Sequence, residues 1–376
     1  MRIIFVNRYF HPDHSATSQM VSDLAFHLAS RGHEVEAIAS RQRYDDPNAL
    51  LAPRETVGGV RITRVATTRF GRTLLGARAI DYLTFYLTAW LALLTRRGVV
   101  VTMTDPPLMS IVAMFAARRR VNWIQDLFPE VAEALGVLRG VGPLRVLRDL
   151  SLRTARANVV LGDRMAERVP HRAIVQHNWA DGALRPIARE NDNTFVVGYS
   201  GNLGRAHDFA TITGAMRLLA DEPSIRFVVT GGGAQLDSVK EATNGLANVA
   251  FRPYQPRELL SESLSSADVH LVSLQPELEG LIVPSKIYGI LAVARPAIFI
   301  GAADGEVGNM LTKNDCGVVV APGDSAALAR VIRDLASDRV RAAEMGTRGQ
   351  ALYESRFAPP IAFANWERIL EEASRA

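Results

Sequence analysis

Short apolar runs alternate with helical stretches along the whole chain, and this alternation starts twice. The pattern predicts parallel strands joined by crossover helices, which is an α/β fold. A polar stretch at 189–193 (RENDN) separates two series of strands, and we interpret it as a linker between two similar units. The predicted strands are 3–6, 35–39, 60–65, 99–102, 122–125 and 158–161 in the first series and 195–199, 226–230, 249–251, 269–272, 297–300 and 317–320 in the second.

The length of 376 residues also favours two domains, since a single hydrophobic core seldom grows that large. We place the first domain at 1–189 and the second at 190–356. A final amphipathic stretch at 361–371 has apolar residues at helical spacing and is able to pack on either domain. For a C-terminal helix at about 357–376, packing back on the first domain is one of these two possibilities.

Two features bear on the cell compartment. The chain contains one cysteine, Cys316, so no internal disulfide is expected, and we interpret this residue as part of the core. The first residues, MRIIFV, run directly into polar Asn7 and Arg8 without the long apolar segment of a secretion signal. We therefore expect a cytoplasmic protein.

Charge is distributed unequally between the two halves. Residues 1–190 contain 26 arginines, no lysine and 17 acidic residues, a net charge of +9, whereas the remainder has 17 basic and 22 acidic residues, a net charge of −5. This difference predicts an anionic partner for the first half, either lipid head groups, a phosphate-bearing acceptor or nucleic acid, although dispersed surface arginines would give the same count. Nucleic acid is least favoured because no recognisable nucleic-acid motif accompanies the arginines.

The most hydrophobic stretch is 82–94 (YLTFYLTAWLALL), and its thirteen residues are too few to span a bilayer. Two interpretations remain open for it. It is either a buried helix between two strands or an interfacial helix with its charges at head-group level. The flanking arginines that would suit the second interpretation are Arg72, Arg78, Arg96 and Arg97.

A glycine-bearing loop, 199–205 (YSGNLGR), directly follows the first strand of the second series. Such a turn lets backbone amides approach a phosphate closely, so we predict a diphosphate site. The loop lacks the spacing of a P-loop or of a dinucleotide fingerprint, and a purely structural turn is the alternative.

A second anion cradle is predicted at a helix start, Val283-Pro284-Ser285-Lys286, with Glu277 and Glu279 before it. A serine hydroxyl, free helix amides and a lysine ammonium together favour an anion. Lys286 is our candidate for neutralising a leaving diphosphate. A Pro-Ser pair is also an ordinary helix entry.

The sequence offers no pattern of metal ligands. Its eight histidines form no HExxH motif, and no DxD pair follows a strand. We therefore expect no essential metal and no cofactor.

Together these segments resemble the C-terminal domain of glycosyltransferase family 4, the group 1 glycosyltransferases. In the first half, FHPDHSATSQ from Phe10 is similar to the family's first loop, and QDLFPE from Gln125 is similar to the DLxPE segment of the branch that includes O-antigen N-acetylfucosaminyl transferases. The matching segments of the second half are YSGNLGxxHDF from Tyr199, NVxFRPYQP from Asn248, ADVHLVSL from Ala267, PSKIYGILAxARP from Pro284 and GEVGNMLxxxDCGVVVxPGD from Gly305.

The resemblance implies a GT-B fold, in which two Rossmann-like α/β domains with parallel sheets face a central cleft. It implies transfer, with retention of anomeric configuration, from a nucleotide-diphosphate sugar on the second domain to an acceptor held mainly by the first. We expect a UDP-sugar as donor. The donor-binding residues carried over are Gly201, Asn202, Leu203, Gly204, Arg252, Tyr254, Glu279, Val283, Pro284, Ser285, Lys286 and Glu306.

A retaining transfer needs no protein nucleophile if the departing diphosphate oxygen accepts the proton of the incoming hydroxyl. Catalysis then rests on positioning and on stabilising the leaving group, for which Lys286, Arg205 and the loop amides are the candidates. Asp126 is the candidate for orienting the acceptor hydroxyl or stabilising positive charge on the sugar, unless it merely caps the following turn. The acceptor-binding candidates are Ser15, Ala16, Thr17, Ser18 and Glu130.

The chain departs from the family pattern at several positions. The usual cations around the diphosphate loop fall on Asn202 and His207, and the second glutamate of the family's Glu-x7-Glu pattern falls on Gly289. The usual histidine of the first domain falls on Gln125. These differences leave recognition of the ribose unassigned.

Several functions remain open at this point. The favoured one is a transferase of cell-surface polysaccharide or lipopolysaccharide biosynthesis that acts on a glycan or polyprenyl-linked acceptor and contacts an anionic membrane peripherally. The alternatives are a sugar-nucleotide epimerase of the same fold, a transferase with a soluble acceptor, and a non-catalytic binding protein. A nicotinamide dehydrogenase is disfavoured because neither domain opens with the dinucleotide fingerprint.

Overall fold

A computed structural model describes residues 1–44, 46, 49–70, 75–189 and 193–375. The chain divides into two compact units, Met1–His177 with Phe363–Ala376, and Asn178–Ala362. Each unit is a mostly parallel sheet with helices in the connections, so the predicted α/β fold is confirmed. Residues 190–192 of the predicted linker lie outside the described residues.

The first unit is built on an eight-stranded sheet with the order β3-β4-β2-β1-β5-β6-β7-β8, in which only β3 is antiparallel to its neighbour. Its elements are β1 (Arg2–Val6), α1 (Ala16–Ser30), β2 (Glu34–Ser40), β3 (Arg54–Val57), β4 (Val60–Val65), α2 (Leu75–Leu94), β5 (Val99–Thr102), α3 (Met109–Met114), β6 (Arg120–Trp123), α4 (Glu130–Ala134), α5 (Gly142–Arg153), β7 (Ala157–Val160), α6 (Asp163–Ala166) and β8 (Ala173–Val175).

The second unit is built on a six-stranded parallel sheet with the order β11-β10-β9-β12-β13-β14. Its elements are β9 (Phe195–Asn202), α7 (Phe209–Leu218), β10 (Ile225–Gly232), α8 (Leu236–Ala242), β11 (Val249–Arg252), α9 (Leu260–Ser265), β12 (Val269–Ser273), α10 (Lys286–Ala292), β13 (Ala297–Ile300), α11 (Glu306–Lys313), β14 (Gly317–Val320), α12 (Ser325–Ser337) and α13 (Arg339–Arg356), followed by the last helix, α14 (Pro359–Arg375).

The last helix, α14, begins in the second unit and belongs to the first from Phe363 onward. In the first unit, the Trp366 ring lies 4.5 Å from that of Trp123 between centroids, and both side chains are fully buried. His27 of α1 stacks on Phe363 and bonds to the Glu367 carboxylate. The apolar face of α14 is therefore part of the first core.

The cores consist of the strands and the inward faces of the helices. Aliphatic strand residues such as Ile4, Val6 and Ile38 pack against the inner face of α2 and against α3 in the first unit. The side chain of Cys316 is buried in the second unit, as predicted, and burial raises the pKa of its thiol to about 11. Parallel strands buried on both faces explain the continuous apolar runs of the sequence.

Strand positions agree with the prediction to within a few residues, and three elements differ. Strands β3 and β8 were not among the predicted strands. The sequence of β3, RETV, is polar and pairs antiparallel at an exposed edge, and β8 has only three residues, at the other edge of the sheet. Helix α2 is 20 residues long and begins before the apolar stretch from which it was predicted.

The division between the units falls at 177/178, whereas the prediction put it at 189/190. The intervening segment is tied to the second unit by polar contacts. Asp181 pairs with Arg257, and the amides of Arg185 and Ile187 donate to hydroxyls of α9. The polar stretch therefore follows a segment already packed on the second unit.

Candidate functional site

In the second unit, two glycine-bearing strand ends lie side by side. The pairing of β9 with β10 continues to Gly201 opposite Gly231 and Asn202 opposite Gly232. Gly231 has φ +134°, and a Cβ there would lie 2.1 Å from the carbonyl oxygen of Gly201. A side chain at Gly231 would therefore separate the two strands, so glycine is required for their close approach.

Lys286, the first residue of α10, extends towards this strand end. Its ammonium donates to the phenol oxygen of Tyr199 at 2.6 Å and lies 3.9 Å from the centroid of that ring. A Cβ built on Gly201 would lie 3.5 Å from Nζ. The fold therefore brings together the two segments that were predicted to bind an anion, the glycine loop and the start of α10.

The ammonium of Lys286 forms no ion pair in the part of the chain that the structure describes. The side chain keeps some exposed surface, yet the protein around it desolvates the charge and lowers the pKa of Lys286 to about 7. A desolvated cation without a carboxylate partner is costly, and a bound anion would remove that cost. This environment favours an anion, as the sequence predicts for this helix start, and the anion itself stays a prediction.

Tyr199 is the residue of this site that sequence reasoning missed. Its buried hydroxyl accepts from Lys286 and donates to the carbonyl of Asn202 at 2.9 Å, so it joins the helix start to the loop. Its position at the start of the YSGNLG motif was the available signal, but only the fold shows that α10 reaches it.

The two positions at which the resemblance led us to expect cations are uncharged here. The side chain of Asn202 is a neutral amide. The ring nitrogen Nδ1 of His207 forms a hydrogen bond with the carbonyl oxygen of Ser273. Burial, with the nearby charge of Lys286, lowers the pKa of His207 to about 3. Arg205 lies on the same loop with its side chain exposed. Lys286 is therefore the cation held against the loop.

The two acidic candidates of this unit, Glu279 and Glu306, meet at the start of α11. The Glu279 carboxylate accepts a hydrogen bond from the Glu306 amide at 2.7 Å. A Cβ built on Gly305 would lie 2.4 Å from an oxygen of the same carboxylate. Glu279 thus stabilises the N-terminus of α11. A contact of either residue with the donor stays a prediction.

The remaining donor candidates lie around the same strand ends. The exposed ring of Tyr254 approaches the end of β10, where its hydroxyl donates to the carbonyl of Gly232 at 3.3 Å. Arg252 ends β11 with its side chain exposed, and Val283 and Pro284 are buried before α10. At Gly289, a Cβ would meet the side chains of Leu264 and Leu184 at ordinary contact distances, so its surroundings are apolar.

In the first unit, the first loop is held in place by its own carboxylate. Asp13 is buried and accepts the amides of Ser15 and Tyr44, while its carbonyl accepts the Ser18 hydroxyl. Ser18 therefore has a structural contact. Ser15 is the N-cap of α1, and its own hydroxyl makes no hydrogen bond within the described chain. Ala16 and Thr17 form the first turn of that helix.

Asp126 follows β6 and has exposed surface. The surrounding protein nevertheless desolvates it, and the carboxylate of Asp105 adds repulsion, so the pKa of Asp126 is raised to about 6. Asp105 follows the neighbouring strand β5 and was missed by sequence reasoning, although polar residues directly after a parallel strand are a usual signal. Both carboxylates belong to the carboxyl edge of the sheet.

Glu130, in contrast, is engaged by arginines. Its carboxylate pairs with Arg148 at 2.6 Å and with Arg145 at 3.2 Å. These contacts give Glu130 a structural role at the start of α4 and leave its acceptor role a prediction. Among the described residues, no group of three His, Cys, Asp or Glu side chains is arranged to hold a metal.

Two glycosyltransferase families match the chain in series. The model described as "Glycosyl transferase 4-like domain" matches residues 15–189, and that described as "Glycosyl transferases group 1" matches 182–352. A relative named "Putative colanic acid biosynthesis glycosyl transferase WcaI", from Escherichia coli K12, is 26% identical over 374 residues, covering 89% of this chain and 91% of the relative.

Solved structures agree with this chain in fold. Sucrose-phosphate synthase from Thermosynechococcus elongatus superimposes with a TM-score of 0.79 at 16% identity, covering 99% of this chain and 98% of the other. HepE from Anabaena in complex with UDP-glucose gives a TM-score of 0.70 at 15% identity over the full length of both chains. The expected two-domain GT-B fold is confirmed by these likenesses.

Proposed function

We propose that this chain is a group 1 glycosyltransferase, and that it transfers a sugar, with retention, from a nucleotide-diphosphate sugar to a hydroxyl of a glycan or lipid-linked acceptor. The observation that carries the proposal is the Lys286 ammonium, which Tyr199 holds against the Gly201 strand end and which has no ionic partner among the described residues. A diphosphate is the anion that such a family member must stabilise as it leaves.

The proposed donor is a UDP-sugar. HepE, a structural neighbour, has been solved in complex with UDP-glucose, and the strand ends that converge here offer a loop for the diphosphate and the Tyr254 ring for a base. Tyr254 is exposed, so its ring face is able to stack on a planar base.

In the proposed reaction, the bond between the sugar and the diphosphate breaks while the acceptor oxygen approaches the same face of the sugar. The diphosphate oxygen that departs takes the hydroxyl proton. Lys286 stabilises the negative charge on that oxygen from the start of α10, and Arg205 assists from the 199–205 loop. Asp126 orients the acceptor hydroxyl. The reaction as proposed uses neither a metal nor a cofactor.

We further propose that the acceptor is a polyprenyl-linked or other cell-surface glycan, used on the cytoplasmic side of the cell membrane. The relative WcaI is named for colanic acid biosynthesis, and the first unit carries the excess of arginine. The enzyme would then contact the anionic membrane peripherally. The branch of the family, including the predicted likeness to O-antigen N-acetylfucosaminyl transferases, stays a prediction.

A thermal-shift screen tests the donor. Uridine, guanosine and thymidine diphosphates would be compared at equal concentration, because a ligand that binds the native state raises its stability by mass action. We expect UDP to raise the melting temperature most. A larger shift with another nucleotide would replace UDP as the donor base, and no shift with any would contradict the nucleotide site.

Product analysis tests the reaction. Donor consumption that requires an acceptor, with a product of the donor's anomeric configuration by proton NMR, is the expected result. Conversion of the donor without acceptor into another nucleotide sugar would instead identify an epimerase. An inverted anomer would contradict the proposed same-face mechanism.

A further inference from the structure

The outward face of α2 is apolar along its length. The five side chains at 80, 83, 87, 91 and 94 recur at helical spacing and are each between 46% and 63% exposed, while Phe85, Ala89 and Leu93 on the opposite face are buried. No charged residue occurs from Tyr82 to Thr95. A helix on the surface of a soluble domain normally presents charged residues outward, so this face is unusual. We call these five residues, Ile80, Leu83, Leu87, Leu91 and Leu94, the α2 stripe.

The apolar surface continues on the neighbouring helices. Helix α2 packs beside α3, and α3 packs beside α5, on one face of the sheet. Phe115 at the end of α3 is 66% exposed, and Val146 of α5 is 72% exposed. Leu144, Leu147 and Leu150 of α5 are also exposed. A patch that extends over three helices is larger than the scattered apolar side chains usual on a monomer surface.

Arginines without ion pairs lie at one end of these helices. Arg97 follows α2, Arg118 and Arg119 follow α3, and Arg153 ends α5. All four side chains are exposed, and within the described chain none has a carboxylate partner. The helix ends precede β5, β6 and β7, which are neighbours in the sheet, so the arginines belong to one edge.

We infer that the α2 stripe and its arginine edge form the surface on which this protein lies on an anionic lipid bilayer. Leucines on a rigid helix suit insertion between head groups, and arginines at the rim suit lipid phosphates. No helix among the described residues is long and apolar enough to cross a membrane. Contact in the plane of the interface is therefore the geometry that this surface fits.

The inference rests on the membrane contact proposed above, which it assigns to particular residues. It differs from the sequence interpretation in two ways. The stretch 82–94 is neither wholly buried nor wholly interfacial, because its inner face is core and its outer face is exposed. The surface also includes α3 and α5, which the sequence did not indicate.

The test uses the full-length protein and needs neither donor nor acceptor, so its failure is separate from failure of the transferase proposal. Trp90 of α2 is a built-in probe, because it retains exposed surface while Trp123, Trp179 and Trp366 are at most 5% exposed. Vesicles of phosphatidylglycerol and phosphatidylethanolamine carrying brominated acyl chains should quench the fluorescence of Trp90. The same signal should be absent in Trp90→Phe.

Co-sedimentation then separates the two parts of the surface. The triple variant Leu83→Gln/Leu87→Gln/Leu91→Gln should lower the partition coefficient about a hundredfold at low and high salt, because the loss of apolar transfer does not depend on ionic strength. The variant Arg97→Gln/Arg118→Gln/Arg119→Gln should lower it about tenfold at low salt and have little effect at high salt.

A matched control comes from the second unit, where Leu218, Leu259 and Val340 are also exposed. Changing these three residues to glutamine should leave vesicle binding unchanged. Circular dichroism and nucleotide binding check that every variant is folded.

Equal binding by the stripe variant and its control would overturn the inference. So would a wild-type dimer in light scattering that the stripe variant dissociates, with no Trp90 quenching, because the stripe would then bind a second copy of the chain.

Discussion

The two units share one architecture but differ in the residues that follow their strands. In the second unit, the strand ends are glycines, and the ammonium of Lys286 approaches them beside a neutral tyrosine and a neutral histidine. In the first unit, the strand ends carry the carboxylates Asp105 and Asp126. Within the described residues, the second unit thus presents an ammonium without an ion pair and the first a pair of acidic groups. These are the roles that we propose for a leaving anion and an acceptor hydroxyl respectively.

The surfaces of the two units differ as well. Of the exposed large hydrophobic side chains among the described residues, fifteen lie in the first unit and four in the second. The arginine excess also lies in the first half of the sequence. The two α/β units therefore differ in their loops and helix surfaces, where binding residues are usually found, as well as in the number of strands in their sheets.

The largest effect on activity is expected when the positive charge of Lys286 is removed from the second unit. Lys286→Ala should lower kcat by about two to three orders of magnitude, comparable to losing one preorganised charge-stabilising group. Lys313→Ala, which removes an exposed lysine from the same unit, is the control and should have no effect. Initial rates at saturating donor measure both, and an unchanged kcat in Lys286→Ala would exclude Lys286 from the mechanism.

Removing a carboxylate tests the first unit. Asp126→Asn should lower kcat about a hundredfold, a typical share for a group that positions or exchanges a proton, while donor affinity stays unchanged. The control is Asp163→Asn, at an exposed helix start. If Asp126 only caps the following turn, thermal stability would fall instead and kcat of the folded enzyme would be retained.

A smaller effect on kcat is expected when Lys286 is kept and the tyrosine hydroxyl that binds it is removed. Tyr199→Phe retains the ring but loses the hydroxyl that links Lys286 to the Asn202 carbonyl, so kcat should fall about tenfold, the value of one hydrogen bond to a charged group. Tyr353→Phe, which removes another tyrosine hydroxyl from the same unit, should leave kcat unchanged. Equal kcat values in the two variants would show that Tyr199 does not position Lys286.

No effect is expected from metal removal. Activity should survive exhaustive chelation with EDTA, since the proposed stabilisation of the diphosphate relies on Lys286 and loop amides. Rates before and after chelation, with zinc, magnesium and manganese added back separately, measure this. Complete loss restored by one of these ions would place a metal in the donor site.

Features that depend only on their own segment of the chain could be predicted from the sequence, and contacts between distant segments could not. The strands, the YSGNLG loop and the helix start at Lys286 were predictable because apolar runs, glycines and proline act on their own segment. The link between Tyr199 and Lys286 was not, because 87 residues separate them and only the sheet order brings α10 to β9.

The structural contacts of two acidic residues could not be predicted either, because their partners are also distant in the sequence. Glu279 was predicted as a donor ligand, yet its carboxylate accepts the first amide of a helix 27 residues later. Glu130 was predicted at the acceptor, yet it pairs with Arg148 of another helix. A motif position gives a residue type, and only the packing shows which partner satisfies it.

The pH dependence of donor binding tests the central claim that Lys286 is the cation of the diphosphate site. UDP-glucose, whose diphosphate is ionised throughout, would be titrated calorimetrically from pH 6 to 9. Burial lowers the pKa of Lys286 to about 7, and only its protonated form attracts the diphosphate, so affinity should be constant below pH 7 and fall by up to about tenfold per pH unit above it. Lys286→Arg remains charged throughout and should bind with a flat profile. A wild-type profile that is equally flat, or no binding at any pH, would contradict the account.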